Sequence, residues 1–306
     1  MSFFDIAKSG NVSDWESHLL AGNNPNELDS YGTTPLSWIV KMDHIDLFEC
    51  ALQKGADPFF PHRNGGSVFF ELISQNKSKF IEALLKNKQY WSESENILSR
   101  DSEGNTIFHI ALQYGDDILW ENIESLIKPD FWELRNEEGL TIFLMAFSSG
   151  NVGFISKFLD SNPSLMNQKD KYGRNALHIA AEQNLSEEVE YLIGVGLPLE
   201  EKDDQGNTAL FLAVANDCIE TISVLLDAGC DILIYGENSE SITRLMDREK
   251  LTHASKLWKK ELYKRLKDIN FETEKERLLP YLQFLKSEKA LLPAEIAQAK
   301  LIDYLL

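Results

Sequence analysis

A turn signature that returns every 33 to 39 residues limits what this chain can fold into more than any other feature. Asp29-Ser-Tyr-Gly-Thr-Thr-Pro-Leu36 comes back as Asp101-Ser-Glu-Gly-Asn-Thr-Ile-Phe108 and Asn136-Glu-Glu-Gly-Leu-Thr-Ile-Phe143. It returns again as Asp170-Lys-Tyr-Gly-Arg-Asn-Ala-Leu177 and Asp203-Asp-Gln-Gly-Asn-Thr-Ala-Leu210, with a weaker copy at His62-Arg-Asn-Gly-Gly-Ser-Val-Phe69. The aligned glycines are Gly32, Gly65, Gly104, Gly139, Gly173 and Gly206. A period of this length is one supersecondary unit. It is too small to bury its own apolar face, so the copies must stack side by side.

The chemistry within one period defines its parts. Asp bonds the nearby backbone, and the glycine permits a positive φ, which together make a tight turn. The threonine that follows (Thr34, Thr106, Thr141, Thr208) is expected to cap a helix. Pro35 suits that helix's first turn, where no N–H is needed. A short helix such as 177–183 follows, then a second, such as 186–193, with apolar residues three and four apart. Gly55, Gly196 and Gly229 are placed to end the second helices. Those second halves also align: His44-Ile-Asp-Leu-Phe-Glu-Cys-Ala-Leu52 matches Cys218-Ile-Glu-Thr-Ile-Ser-Val-Leu-Leu226.

At these residues, over about 1–235, the chain resembles the ankyrin repeat family, whose period is 33 and whose units open Asp-x-x-Gly-x-Thr-Pro-Leu-His. The resemblance implies an all-α repeat solenoid with short β-hairpin turns, plus a helical C-terminal extension. Its units are expected at 29–61, 62–100, 101–135, 136–169, 170–202 and 203–235, after a capping unit at 1–28 and before a degenerate repeat and extension at 236–306. It also implies a non-enzymatic scaffold that binds a protein partner. His109 and His178 fall at the family's histidine position, where the ring bonds backbone and links units.

Charge and motifs point the same way. The 306 residues carry a formal −19, which excludes a nucleic-acid binder working through overall charge. No apolar run is long enough for a membrane span, and Met1-Ser-Phe-Phe-Asp5 does not open like a signal peptide. Cys50, Cys218 and Cys230 give neither a disulfide framework nor metal spacing, as in a reducing, cytoplasmic setting. The chain contains no phosphate loop, no His-Glu-x-x-His, no Cys-x-x-Cys and no Gly-x-Ser-x-Gly. No enzyme, cofactor or metal is therefore expected.

What remains is a surface. Turn tips and first helices should line a concave face whose side chains can differ from unit to unit. Tyr31, Thr33, Arg63, Glu103, Asn105, Glu138, Lys171, Tyr172, Arg174 and Gln205 are the candidate partner contacts, with Tyr31, Tyr172 and Arg174 as anchors, since Tyr and Arg dominate interface hot spots. Residues 1–247 carry −23, so the partner should present a basic surface.

The irregular segments carry the alternatives. Tyr90, Trp91, Phe131 and Trp132 lie where the third and fourth units lengthen or end, and are expected to pack the extra loop, with partner contact as the other reading. Residues 248–267 carry +6 and space Trp258, Leu262, Leu266 and Ile269 as an amphipathic helix, expected to cap the solenoid, with peripheral membrane contact as its competitor. Helices at 274–287 and 293–306 are expected beyond it. Leu292-Pro-Ala-Glu-Ile296 resembles the opening of an F-box, and the end of the chain resembles a SOCS box, but neither motif is complete. A bacterial effector acting in a host cytosol, or a ubiquitin-ligase-type adaptor recruiting through these helices, is the alternative function.

Overall fold

The computed structural model describes residues 2–63, 65–87, 90, 98–114, 120, 123, 127–153, 155–234, 236 and 241–266. The chain divides into two compact units, Met1–Met145 and Ala146–Leu306.

The N-terminal unit is built from pairs of short helices. These are α1 (Phe3–Ser9) with α2 (Val12–Leu20), α3 (Pro35–Lys41) with α4 (Ile45–Gln53), and α5 (Val68–Ser74) with α6 (Ser78–Lys86). α7 (Ile107–Tyr114) and the start of α8 (Ile142–Ser149) continue the series. First helices pack on first helices, α1 on α3 on α5 on α7, and second on second, α2 on α4 on α6. Burial of aromatic rings drives the stacking: Phe48 of α4 meets Phe80 of α6 edge to face, 5.0 Å between centroids, and both are fully buried. Each such ring contributes about 1.5–3 kcal/mol by leaving water.

The C-terminal unit repeats the plan with α9 (Ile155–Ser161), α10 (Ala176–Glu182), α11 (Ser186–Gly194), α12 (Ala209–Ala215) and α13 (Ile219–Asp227). Ala176, Ala180, Ala181, Ala209 and Ala213 are buried, and their small side chains let α10 and α12 approach closely. The pattern does not stop at 235. α14 (Ile242–Arg248) packs on α12, and α15 (Thr252–Leu266) packs on α13, as one further helix pair. Trp258 of α15 is fully buried and donates its indole N–H to the Ile232 carbonyl at 3.1 Å. The segment expected as an appended amphipathic extension is thus the second helix of a repeat. The helices expected over 274–287 and 293–306 lie outside the described residues.

Backbone conformation exposes the register more sharply than the turn motif does. The residue between first and second helices is left-handed at Gly10, Asp43, Asn76, Gly150, Asn184, Asp217 and Lys250. Gly, Asn and Asp adopt this conformation readily, and Lys250 is the exception. At the other end of each unit, the first helix is capped as expected: Thr34 Oγ1 accepts from the Ser37 amide, Thr208 Oγ1 from Phe211, and Asn175 Oδ1 from His178. Ser67 makes no such bond. Among the described residues the turns form no strands; Arg135 and Thr141 pair in an isolated antiparallel bridge.

Candidate functional site

The turn tips are rigid because each carboxylate closes its own loop. Asp29 Oδ1 accepts from the amides of Tyr31 and Thr33 at 2.9 and 3.0 Å, and Asp101, Asp170 and Asp203 repeat this geometry. Burial pushes the Asp29 carboxyl up, but bonds from Thr33, Trp38 and Tyr31 outweigh it and hold it below the usual carboxylate range. Successive tips are laced by backbone: Arg63 N donates to Gly32 O at 3.0 Å, Glu137 N to Glu103 O at 2.9 Å, and Asp204 N to Tyr172 O at 3.0 Å. Gly32 is required twice over, since its φ is +79° and a Cβ there would collide with the Arg63 side chain.

Behind the tips, histidines tie one unit to the next. His109 bonds Thr106 Oγ1 through Nδ1 at 2.8 Å and the Leu140 carbonyl through Nε2 at 3.0 Å. His178 bonds Asn175 and the Asn207 carbonyl in the same way. Burial pulls His109 down to about 4 and lowers His178 as well, so both rings are neutral links at pH 7. In the first repeat the position belongs to Ser37, and the link is reversed. His62, standing where other units have the turn Asp, meets Ser37 Oγ through Nε2 at 3.2 Å and Glu71 through Nδ1 at 3.4 Å. Burial lowers His62 and raises Glu71. The hydrogen bond of the ring is the one between Nε2 and Ser37; Glu71 stands beside Nδ1 at contact distance.

This exchange opens onto a groove of about 550 Å³ lined by Tyr31, Thr33, Trp38, Lys41, Glu71 and Gln75, among others. Tyr31 is 79% exposed, and Glu71 is half-buried at the wall. Trp38 donates its indole N–H to Asp29 Oδ2 at 2.9 Å, while Lys8 and Lys41 ammoniums lie 4.4 and 4.7 Å from its ring centre. Trp38 and Glu71 occupy one helix position in successive repeats, which later units fill with Ile110, Met145, Ile179 and Leu212.

The ten candidate contacts fare unequally. Tyr31 and Thr33 line the groove. Arg63, Glu103 and Glu138 are exposed on the following tips, Arg63 also reaching the Ser30 carbonyl at 3.3 Å. Asn105 is not a surface contact. It is fully buried, and its amide donates to Asp101 Oδ2 at 3.1 Å while its oxygen accepts from Asn136 at 2.8 Å. In the C-terminal unit, Lys171, Tyr172 and Arg174 form one cluster, with the Lys171 ammonium 5.1 Å and the Arg174 guanidinium 5.0 Å from the Tyr172 ring centre. Gln205 is exposed on the adjoining tip. Arg174 is committed internally, at 2.7 Å to Asp170 and 2.7 Å to Glu182, which removes it as a free anchor. Tyr90 and Phe131 are buried, and the Tyr90 hydroxyl donates to the carbonyls of Leu52 and Ala56; Trp132 is half-buried, and Trp91 lies outside the described residues.

Stacked helix pairs, Asp-closed tips and histidine links define a protein of the ankyrin repeat class. The family model "Ankyrin repeats (3 copies)" matches residues 108–196 and 142–235, and the chain is an ankyrin repeat protein. It is similar to the chicken nuclear factor NF-kappa-B p105 subunit, 28% identical over 112 residues, which are 36% of this chain and 11% of that protein. It is similar to human Rabankyrin-5, 31% identical over 101 residues, 33% of this chain and 8% of that protein. The chain thus spans about a tenth of the length of these relatives. In fold it is similar to the crystal structure of the human ASB11 ankyrin repeat domain, with a TM-score of 0.56 at 18% identity, covering 76% of this chain and 99% of that one. Among the described residues, no helix is long and apolar enough to cross a membrane.

Proposed function

We propose that this protein is a non-enzymatic cytoplasmic scaffold that binds a protein partner through the turn tips and first helices of its repeats. In the N-terminal unit, the groove beside Tyr31 and Glu71 receives a Lys or Arg side chain of that partner. Ankyrin repeats are in general protein–protein interaction modules, which supports the broad reading. The observation that carries the finer one is the placement of Trp38 and Glu71 where later repeats keep aliphatic residues, beside an exposed tyrosine. The Glu71 carboxylate at the wall and the exposed Tyr31 ring at the mouth suit a cation, the Trp38 face being taken by Lys8 and Lys41. The −23 of residues 1–247 adds attraction at longer range, so association should slow as salt rises.

Affinity capture with the full chain and with a chain ending at residue 266 tests this. That end point keeps Trp258 and its helix, which a shorter cut would strip from the core. Equal partner sets are expected. Capture that depends on residues 267–306 would favour the adaptor or effector reading, in which the C-terminal segment recruits other machinery.

A further inference from the structure

We propose that the N-terminal turn of α15 is a binding site for a phosphate-monoester anion, built from Ser255, Lys250, Lys256 and Lys259. A cavity of about 350 Å³ lies there, lined by these residues together with Met246, Leu251 and Thr252, and none of them is acidic. At about 30 Å³ per water, that volume holds on the order of ten waters, ample for a phosphate ester.

The repeat register shows how far this corner departs from the others. Aligned on the left-handed residue, Ser255 stands where the other units bury Trp15, Phe48, Ile81, Val189 and Ile222. Lys256 stands where four of them carry Glu16, Glu49, Glu82 and Glu190 and the other two Ser156 and Ser223. Lys259 replaces Leu52, Ile193 and Leu226, and Lys250 replaces Asp43, Asn76, Asn184 and Asp217. One apolar position has become a hydroxyl, and three acidic, polar or aliphatic positions have become cations, all around one cavity.

Ser255 points to a ligand. It is 7% exposed, and its hydroxyl has no hydrogen-bond partner on the cavity floor. A buried hydroxyl without a partner is costly, and an incoming acceptor oxygen removes that cost. The helix end adds donors. Leu251 precedes the helix and has no side-chain acceptor, so it cannot cap the amides of Thr252, His253 and Ala254. The positive end of a 15-residue helix dipole favours an anion at the same point. Among the described residues, Glu249 pairs with Arg248 at 2.8 Å, and Glu261 with Arg265 at 2.7 Å and Lys264 at 3.4 Å. Burial of Lys259 pulls its ammonium pKa down, the direction an adjacent anion would reverse.

The test is an amide NMR titration of the full chain with inorganic phosphate, against chloride at matched ionic strength. Saturable shifts at residues 252–256 are expected with phosphate only. Ser255→Val, which restores the apolar residue other repeats hold, should fold normally and weaken phosphate at least tenfold. Lys256→Glu should do the same. Co-sedimentation with phosphatidylcholine vesicles, with and without a phosphorylated inositol lipid, separates the sources of the phosphate. Phosphoinositide-dependent sedimentation lost in Lys256→Glu assigns the site to a lipid headgroup, and saturable phosphate binding without sedimentation assigns it to a soluble ester. Non-saturating shifts, equal shifts with chloride, or variants that bind as the parent does would overturn the site.

Discussion

Replacing Arg174 by Ala should destabilise the protein even though the residue lies on a turn tip. The guanidinium is about one-fifth exposed, whereas the Asp170 side chain beneath it is fully buried. Asp170 Oδ1 keeps its bonds from the Tyr172 and Arg174 amides, but Oδ2 loses the Nε–H held at 2.7 Å. Breaking a fully buried ion pair costs about 3–5 kcal/mol. The retained amide bonds and the partly exposed Glu182 arm bring the expectation down to about 2 kcal/mol. Arg174→Asn supplies a control drawn from the chain itself. Asn105 and Asn207 occupy the same place in their units, and each donates to its turn Asp at 3.1 Å. The asparagine variant should therefore recover about half of the loss. Urea denaturation followed by far-UV circular dichroism measures both. A loss below about 0.5 kcal/mol for Arg174→Ala, or an asparagine variant no better than alanine, would refute the reasoning.

Two further outcomes follow from buried groups. His109 ionises near 4 in the fold against 6.5 when free, so the unfolded chain binds the extra proton; its contribution is complete above pH 6.5 and drains as pH falls toward 4, by about 3 kcal/mol in all. His178 and His62 act in the same direction, Glu71 in the opposite one, and a His109→Gln/His178→Gln variant should flatten urea midpoints between pH 6.5 and 4; an unchanged slope would count against the assignment. Tyr90→Phe removes the hydroxyl that lies 2.8 and 2.9 Å from the Leu52 and Ala56 carbonyls; the Leu52 carbonyl keeps the Gly55 amide, so the cost should be about 1 kcal/mol in the same denaturation assay, whereas a cost near zero would mean that the hydroxyl is not holding the loop.

The parts of this fold that were legible in the sequence are those that repeat. Turn Asp, tip Gly and capping Thr recur at fixed offsets in most units, and the linking His in two of them, because each serves the turn, the helix start or the tie to the next unit. The site was legible only in part, because function sits where the repetition breaks. Asn105 looked like a free tip residue, but it follows the tip glycine, the position whose side chain folds back onto the turn carboxylate; Thr33 and Arg174 do the same. The groove at Trp38 and Glu71 was missed because it lies one turn into the first helix, not on the tip. Its signal was present in the paired exchange of Ser37 for a linking histidine and His62 for a turn aspartate. The repeat beyond 235 was legible only as a degenerate one, because its turn glycine position holds Ser239; that α15 is its second helix was not, since its left-handed residue, Lys250, is not one that favours that conformation.

The claim that the first-helix groove is the partner site meets its most direct test in equilibrium binding of the captured partner to the full chain and to a Tyr31→Ala/Glu71→Gln variant. Neither residue closes a turn or links repeats through backbone, so the melting temperature should hold. The account predicts affinity at least about tenfold weaker, a loss of about 1.4 kcal/mol, with the difference shrinking at high salt. Equal affinity in a variant that melts with the parent would contradict it.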